Sequence, residues 1–569
     1  MADMHNAHTC RQCQTSFEVT NEDLALYDSI SPKFANKKYV IPPPTLCPDC
    51  RAQRRYAWRN ERTLYRRTCA LSGQSTLSVF SPESPFTVLS PDSWYSDKWD
   101  PKSYGRVFDF SRSFFDQFRE LIEQVPQVAL SVVSNQNSDY INQAGWCKNC
   151  YLIFEADYNE NSLYAHNLSD CRSCMDILQG KNLELCYECV VCRNCYNLRY
   201  GLQCDNCSDS WFLRDCIGCS NCIGCTNLRN KKFHIFNEPY DESGYSAKLA
   251  ELGLQSRGGI ERLRTQFDAF ALRFPVRAMY GTQNEESSGN YLWNTQRCSG
   301  CYECQNMQDC KYVVNSQNMK NVHDTTVFGA HDGAELCYEC HEIGQGVVGC
   351  AFSDQLWENV SSVFYSKLCM QNSQNLFGCV GLRHANYCIL NKQYSKEEYE
   401  NLVPTIIEHM RGTGEWGEFF PVNTSPFAYN ETVAMEHCPL KKEEVNTRGW
   451  AWKETIEIPP TADRILSGTQ IPDTIVEVPD DILQWAVECA ATKRIFRIVK
   501  QEMEFCRNQQ LPLPIFHSDE RHRRRTLLRL PRKLHERNCA KCSKSMQTTY
   551  SPDRPEKVYC EECYLKEVY

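Results

Sequence analysis

Residues 47–94 and 517–564 are two copies of one module, which align without a gap at an offset of 470 with 15 of 48 positions identical. Each copy keeps one set of paired Cys-x-x-Cys ligands and has lost the other set. Four thiolates from two such pairs make a tetrahedral structural zinc site. The sequence therefore predicts one zinc module at each end of the chain, with zinc as the cofactor.

The predicted zinc ligands fall into two sets. They are Cys10, Cys13, Cys47 and Cys50 at the N-terminal end, and Cys539, Cys542, Cys560 and Cys563 at the C-terminal end. The lost sets are Cys69 with Ser72, Ser90 and Ser93 in the first copy, and Cys489 with Thr492, His517 and Glu520 in the second. The set in the second copy could hold a weak three-ligand site. We favour the interpretation that both lost sets are kept for their fold, because serine in the first copy has no thiolate to offer a metal ion.

The remaining composition limits the class of protein. With 569 residues, of which 42% are hydrophobic, the chain is long enough for several domains with buried cores. No signal peptide or membrane span is evident, so we expect a cytoplasmic protein without membrane contact. Thiols stay reduced in that compartment. The 36 cysteines then indicate metal ligands or buried thiols instead of disulfides.

Both module copies contain an arginine-rich stretch. Residues 51–67 and 521–537 have net charges of +6 and +7, which leaves −22 for the rest of a chain whose net charge is −9. Helical spacing would place the arginines of each stretch on one stripe, and guanidinium groups bind phosphate bidentately. The predicted nucleic-acid ligands are Arg51, Arg54, Arg55, Arg59, Arg62, Arg66, Arg521, Arg524, Arg525, Arg529 and Arg532. The alternative is that these charges pair with the protein's own acidic body.

The middle of the chain contains a second duplication. The string Glu-Leu-Cys-Tyr-Glu-Cys occurs at 184–189 and again at 335–340, and within each unit pairs of cysteines recur at a regular step, as in Cys192, Cys204 and Cys216. A step of this length suits a short strand and a tight corner, so we predict short β-solenoids. Amphipathic helices are predicted before Pro126 and Pro275 and over residues 397–409.

The 24 cysteines of these units allow several interpretations. The runs Cys186 to Cys195 and Cys216 to Cys225 repeat Cys-x2-Cys, but they lack the x3 spacing and the proline of bacterial ferredoxins. We favour buried thiols that act as small hydrophobic side chains. Additional zinc knuckles are the next alternative.

The predicted fold is a multidomain α+β chain with zinc-ribbon or treble-clef modules at both ends of two duplicated cysteine-rich units. The predicted boundaries are an N-terminal module at 1–100, repeat unit 1 at 101–275, repeat unit 2 at 276–435, a Pro-rich acidic linker at 436–488 and a C-terminal module at 489–569.

Nearly the whole chain resembles a family of uncharacterised bacterial cysteine-rich proteins with predicted zinc-ribbon or treble-clef terminal domains. The residues behind this resemblance are the Cys10 and Cys47 pairs, the repeated Glu-Leu-Cys-Tyr-Glu-Cys, Gly-Cys-Val-Gly-Leu-Arg at 378–383, and the segment 550–560. The chain departs from the family pattern at Thr492, His517 and Glu520, where cysteines are expected. The resemblance implies no activity or substrate.

From these observations we predict a non-enzymatic zinc protein that contacts the phosphate backbone of a nucleic acid, RNA in preference to DNA, through its arginine helices. One alternative is a cysteine-rich protein of metal storage or thiol redox chemistry. Another is a structural scaffold for protein partners. No small-molecule substrate is evident from the sequence.

Overall fold

The computed structural model describes residues 6–166, 175–180, 184, 188–190, 200–327, 333–454 and 460–569. Within these ranges no helix combines the length and the apolarity needed to cross a bilayer. The α-helices there are Asn21–Ile30, Pro48–Tyr56, Pro91–Trp94, Phe114–Gln124, Glu242–Leu252, Arg257–Ala271, Lys396–Thr413, Ala434–His437, Lys442–Thr447, Lys500–Gln509, Ser518–Leu528 and Glu561–Val568. Short 3₁₀ turns join several of them.

Residues 281–393, here called the second stack, form one sheet of ten strands in chain order. All neighbours pair in parallel except the last two, which form an antiparallel hairpin. The strands are Gly281–Glu285, Gly289–Gln296, Cys301–Gln308, Gln317–Thr326, Ala334–His341, Val347–Val348, Ser361–Phe364, Gln374–Phe377, Asn386–Ile389 and Lys392–Gln393. Many partners are separated by the step of the cysteine repeat, as in Gly289 with Cys301, and others by one residue more, as in Ser361 with Gln374.

Residues 131–239, here called the first stack, repeat this arrangement, and their described part forms three smaller sheets. Parallel partners are again separated by the step of the cysteine repeat, as in Asn142 with Phe154 and Ser220 with Lys232. The strands are Val132–Val133, Asn142–Gly145, Phe154–Asp157, Glu188–Val190, Tyr200–Leu202, Leu213–Arg214, Ser220–Ile223, Lys232–Ile235 and Glu238–Pro239.

The backbone of both stacks turns a corner at every third residue. From Ser134 to Tyr164 every third residue has a φ between 47° and 58°, and the same period runs from Tyr291 to Val327. Left-handed φ values in residues other than glycine are uncommon in proteins, so this regularity is the defining feature of the stacks. Four such three-residue sides complete one coil and return the chain alongside itself.

The residue after each corner points into the stack. Every third residue from Ile141 to Ala165 is buried, and these positions are occupied by small or medium side chains. The three-residue period therefore explains the Cys-x2-Cys spacing of the central units, because successive cysteines occupy successive inward positions. In the part of the stacks that the structure describes, the spacing thus follows from backbone geometry.

The inward thiols have hydrogen-bond partners on the backbone. Cys150 Sγ donates to the carbonyl of Lys148 at 3.4 Å and to that of Asn159, on the next coil, also at 3.4 Å. Every described cysteine of the two stacks is buried and unoxidised. The run Cys186 to Cys195, compared above with iron–sulfur patterns, lies outside the described side chains.

The three predicted amphipathic helices are confirmed as Phe114–Gln124, Arg257–Ala271 and Lys396–Thr413. The prediction of an extended tether at 436–488 is wrong for the described part of that segment. Its apolar residues Ile471, Ile475 and Ile482 are buried in one cluster with residues of the helix Arg257–Ala271. The prolines of this segment interrupt regular structure, but the apolar residues between them still pack against the core.

Each terminal module contains a two-stranded antiparallel hairpin, Tyr65–Thr68 with Ser75–Ser78 and His535–Asn538 with Ser545–Thr548. The remaining strands are Asn6–Thr9, Ser16–Val19, Lys33–Phe34, Lys37–Lys38, Val88–Leu89, Gln127–Val128, Val276–Arg277, Ile465–Ser467, Ala486–Glu488, Ile495–Phe496 and Val558–Tyr559. Two of these pairings join modules to stacks. Val88–Leu89 pairs in parallel with Gln127–Val128, before the first stack, and Val558–Tyr559 pairs with Val276–Arg277, before the second.

Thiol labelling tests the inward placement. We expect N-ethylmaleimide to leave Cys304 and Cys350 unmodified in the native protein and to modify them after denaturation, because both are fully buried and the thiolate is the reactive species. Labelled sites are identified by mass spectrometry of peptides. Cys438, partly exposed outside the stacks, is the internal control. Labelling of Cys304 as fast as that of Cys438 would contradict the arrangement.

Candidate metal centres and the arginine helices

The N-terminal cysteine cluster brings together the four predicted ligands Cys10, Cys13, Cys47 and Cys50, whose sulfur atoms lie within 4.8 Å of one another. Cys13 Sγ and Cys47 Sγ are 3.6 Å apart. A tetrahedral zinc site with Zn–S bonds of about 2.3 Å has sulfur–sulfur edges of about 3.8 Å. The cluster therefore fits one metal ion held by four thiolates.

The N-terminal cluster is coupled to a helix. Cys47 is the N-cap of Pro48–Tyr56, and Cys50 lies in the first turn of that helix. The positive end of the helix favours thiolates, and a hydrogen bond with Cys50, with lesser contributions, lowers the pKa of Cys47 to about 7. A bound metal ion would thus fix the start of this helix, here called the N-terminal arginine helix.

The C-terminal cluster repeats this geometry with Cys539, Cys542, Cys560 and Cys563. Cys542 Sγ and Cys560 Sγ are 3.8 Å apart. Although burial opposes it, hydrogen bonds from the backbone N–H groups of Cys542 and Cys560 lower the pKa of Cys539 to about 6. The donor set of both clusters is closed, with no position left for a substrate, which is typical of structural metal sites.

The two lost sites keep their loops through hydrogen bonds. Cys69 Sγ donates to Ser93 Oγ at 3.4 Å, and Ser90 Oγ donates to Ser93 Oγ at 3.1 Å. In the second copy, His517 Nδ1 accepts from the N–H of Asp519 at 3.1 Å and caps a helix. Glu520 accepts from Arg523 and Arg524, and these hydrogen bonds, mainly that from Arg523, lower the pKa of Glu520 to about 2. These polar groups thus have partners that do not include a metal ion.

The N-terminal arginine helix lies against the second stack. Arg55 is 0% exposed, and its Nη1 is 3.2 Å from Asp324 Oδ1 and 3.0 Å from Glu339 Oε2. Arg51 Nη2 is 2.8 Å from Asp324 Oδ2, and Arg54 Nη2 is 2.8 Å from Glu339 Oε1. Two carboxylates of neighbouring coils therefore receive three guanidinium groups from successive turns of one helix.

The helix Ser518–Leu528, here called the C-terminal arginine helix, lies against the first stack. Arg525 Nη1 is 2.7 Å from Asp176 Oδ2, and Arg521 Nη1 is 3.3 Å from the same oxygen and 3.0 Å from Glu502 Oε1. Beyond the helix end, Arg529 and Arg532 pair with Glu303 of the second stack. Arg51, Arg55 and Arg59 correspond in the module alignment to Arg521, Arg525 and Arg529.

Most of the arginines predicted to bind nucleic acid do not lie on an exposed stripe. The N-terminal arginine helix ends at Tyr56, so Arg66 lies on a strand and not on the helix. Of the eleven predicted nucleic-acid ligands, the buried ones are Arg51, Arg54, Arg55, Arg59, Arg521, Arg525 and Arg529, the half-buried ones are Arg62 and Arg532, and the exposed ones are Arg66 and Arg524. The cause is the pairing with the protein's own carboxylates.

The acidic partners were missed at the sequence level. Asp324 lies at a corner position of the three-residue period, and Asp176 and Glu339 are likewise buried acids within the repeat units. Buried carboxylates are rare unless they are paired. Acidic residues at the corners of an otherwise apolar repeat, together with basic stretches elsewhere, are a signal that could have identified them.

Comparison of the chain with protein-family models, with curated proteins and with solved structures found no match. The interpretation of these sites therefore depends on their own geometry.

Replacement of Arg55 tests the importance of the buried pairs. We expect Arg55→Met to lower the free energy of unfolding by about 3 kcal/mol, because it leaves buried carboxylates with fewer cations. Arg523→Met is the matched control, since Arg523 is 60% exposed and its partner Glu520 keeps Arg524 as a second cation; its cost should stay below about 1 kcal/mol. Chemical denaturation followed by circular dichroism measures both. Equal effects would show that the buried network is not important for stability.

Proposed function

We propose that this protein is a non-enzymatic zinc-binding scaffold, in which two metal modules hold two cysteine-lined stacks in a fixed arrangement that presents stack surfaces to protein partners. The observation that supports it is the burial of the arginine helices against stack carboxylates. Guanidinium groups that pair with carboxylates of the same chain hold its segments together. The proposal makes the metal sites structural and assigns them no chemistry of their own.

The modules join the stacks crosswise. The N-terminal module pairs its strand Val88–Leu89 with the segment before the first stack, whereas its arginine helix contacts Asp324 of the second stack. The C-terminal module pairs Val558–Tyr559 with the segment before the second stack, whereas its arginine helix contacts Asp176 of the first. Each module therefore bridges both stacks, which supports a role in fixing their arrangement.

The fold type of the stacks, the fold type of the modules and the identity of the metal are also part of what we propose. We take the stacks to be β-solenoids, because their successive strands pair in parallel at the nearly constant step of the repeat. We take the modules to be of zinc-ribbon or treble-clef type, because the last ligand pair of each cluster starts a helix. We take the metal to be zinc, because four thiolates in tetrahedral spacing suit zinc best.

A role in metal storage is less well supported. Among the described residues, groups of three or more metal-ligating atoms occur in three places, namely the two terminal clusters and Glu61 with Glu155 and His166. The described stack thiols form no such group and donate to carbonyl oxygens instead. Storage would require exposed thiolates that can gather around several ions.

Nucleic-acid contact is a second candidate that depends on the arginines left at the surface. Arg66 is exposed beside the ring of Tyr140, and Arg523 and Arg524 have 60% and 44% exposed side chains. Three such residues could neutralise about three phosphates, in contrast to the five to eight expected if the stripes were exposed.

Metal analysis tests the zinc sites. We expect about two zinc ions per chain at the terminal clusters, the number that two four-thiolate sites hold, and about one in Cys50→Ser or in Cys563→Ser. Inductively coupled plasma mass spectrometry measures the ratio. Cys69→Ser is the matched control, because Cys69 is a buried module cysteine outside both clusters. Two zinc ions in all four proteins would refute the assignment.

Salt dependence separates the scaffold from the nucleic-acid candidate. We expect RNA and DNA oligonucleotides to bind weakly through the modules, with a log–log salt slope no steeper than about −3, because three arginines of the stretches 51–67 and 521–537 are exposed. Fluorescence anisotropy at several salt concentrations provides the slope. A control with Arg66, Arg523 and Arg524 all replaced by Gln should abolish the remaining binding. A slope near −5 or steeper would require the buried helices to open and would favour nucleic-acid binding.

A further inference from the structure

A buried junction joins the N-terminal module, the first stack and the C-terminal module. Glu61 follows the N-terminal arginine helix, whereas Glu155 and His166 lie on neighbouring coils of the first stack, where Phe154 and His166 form a parallel bridge. The ring of His522, on the C-terminal arginine helix, lies 5.4 Å from the ring of His166 between centroids. His522 in turn is 3.1 Å from Glu436 through Nε2 and Oε1.

The two carboxylates at this junction are oriented by one arginine. Arg59 binds Glu61 through Oε1 and Glu155 through Oε1, the latter at 2.9 Å from Nη2. Their other oxygens face His166, whose Nε2 is 3.0 Å from Glu61 Oε2 and 3.5 Å from Glu155 Oε2. One oxygen of each carboxylate and one ring nitrogen thus lie within 4.8 Å of one another.

These spacings match those of metal ligands. Atoms bound to one ion at about 2.1 Å lie about 3.0 to 3.4 Å apart in octahedral or tetrahedral geometry. A single Nε2–H can donate well to only one of the two oxygens. An ion at the centre would contact both oxygens and the nitrogen, and the remaining positions would be available to water.

The balance of charges at this junction also favours a bound cation. The junction contains the carboxylates of Glu61, Glu155, Glu303, Glu342 and Glu436 and the arginines Arg59, Arg529 and Arg532, and Glu436 pairs with His522. With neutral histidines these groups carry two negative charges in excess. Although burial opposes it, the hydrogen bond with Glu61 and the charge of Glu155 raise the pKa of His166, so a proton on His166 supplies one of the two missing charges when no ion is bound. In addition Glu342 is 0% exposed, and its Oε2 has no hydrogen-bond partner among the described residues. Buried charge of this kind is costly unless it is compensated.

We propose that Glu61, Glu155 and His166 bind one divalent first-row metal ion, which is distinct from the zinc of the cysteine clusters and ties the N-terminal module to the first stack. Two oxygen ligands and one imidazole suit Mn²⁺, Fe²⁺ or Zn²⁺ and not a thiolate-specific ion. The ion would supply the positive charge that protons supply in its absence, and His522 of the other module would cover it.

Mn²⁺ is the probe of choice, because it prefers oxygen and imidazole ligands and leaves the four-thiolate clusters to zinc. The full-length protein is dialysed against EDTA, its remaining zinc is measured, and Mn²⁺ is titrated while free Mn²⁺ is followed by electron paramagnetic resonance. We expect one bound Mn²⁺ per chain and at least a tenfold loss of affinity in Glu155→Gln.

Glu303→Gln is the matched control, since Glu303 is a buried carboxylate of the same network that binds Arg532 and is not a ligand. Its loss of Mn²⁺ affinity should be clearly smaller than that of Glu155→Gln, because Glu303→Gln removes a charge of the network but no ligand atom. Thermal unfolding by circular dichroism identifies variants that fail to fold. Should Glu155→Gln fail, His166→Gln replaces it with the same expected loss.

Two results would overturn the proposal. One is the absence of bound Mn²⁺ in the folded native protein, which would mean that protons on His166 and Glu155 balance the charge. The other is an equal affinity in Glu155→Gln and Glu303→Gln, which would place the ion elsewhere.

Discussion

The buried pairing of guanidinium groups with stack carboxylates is the interaction on which the remaining architecture depends. Asp324 and Glu339 lie at corners of the second stack and are buried beneath the N-terminal arginine helix, where ionised carboxylates are unfavourable without cations. The cations come from a helix that is distant in the sequence, since it precedes the whole first stack. The stack and the module helix therefore require each other, and neither has a favourable charge state alone.

The two modules show how one interaction can be supported in two ways. In the first copy, the four-cysteine cluster includes the start of the arginine helix, so that a metal ion would fix its direction. In the second copy, His517 and Glu520 replace the cysteines, and a side-chain cap with the ion pairs of Glu520 holds the corresponding helix start. The four-cysteine cluster of that module lies instead at the helix Glu561–Val568. The arginine contacts are present in both copies, and the position of the four-cysteine cluster differs.

Part of this could be predicted from the sequence. Paired cysteines located both four-ligand clusters, since their spacing is set by local chain geometry, and amphipathic periodicity located the helices Phe114–Gln124 and Lys396–Thr413. The exposure of Arg55 could not be predicted, because helical spacing fixes the stripe on which a residue lies but not what covers it. The burial of Ile475 could not be predicted either, because it depends on a partner helix that the proline-rich sequence around Ile475 does not indicate. His166 had no local pattern at all, because its partners Glu61 and Glu155 meet it only in the folded chain.

The three-residue side of the coils limits where residues can be inserted into such a chain. A single inserted residue would move every later inward side chain outward, unless a corner absorbs it. The second stack contains such a case, because the step from Ser361 to Gln374 is one residue longer than the step from Gly289 to Cys301. Inserting a whole coil would preserve the interior but would displace Asp324 or Asp176 relative to its arginine helix. The two modules therefore restrict the number of coils. A stack can gain or lose a coil only if the arginine helix that contacts it is repositioned as well.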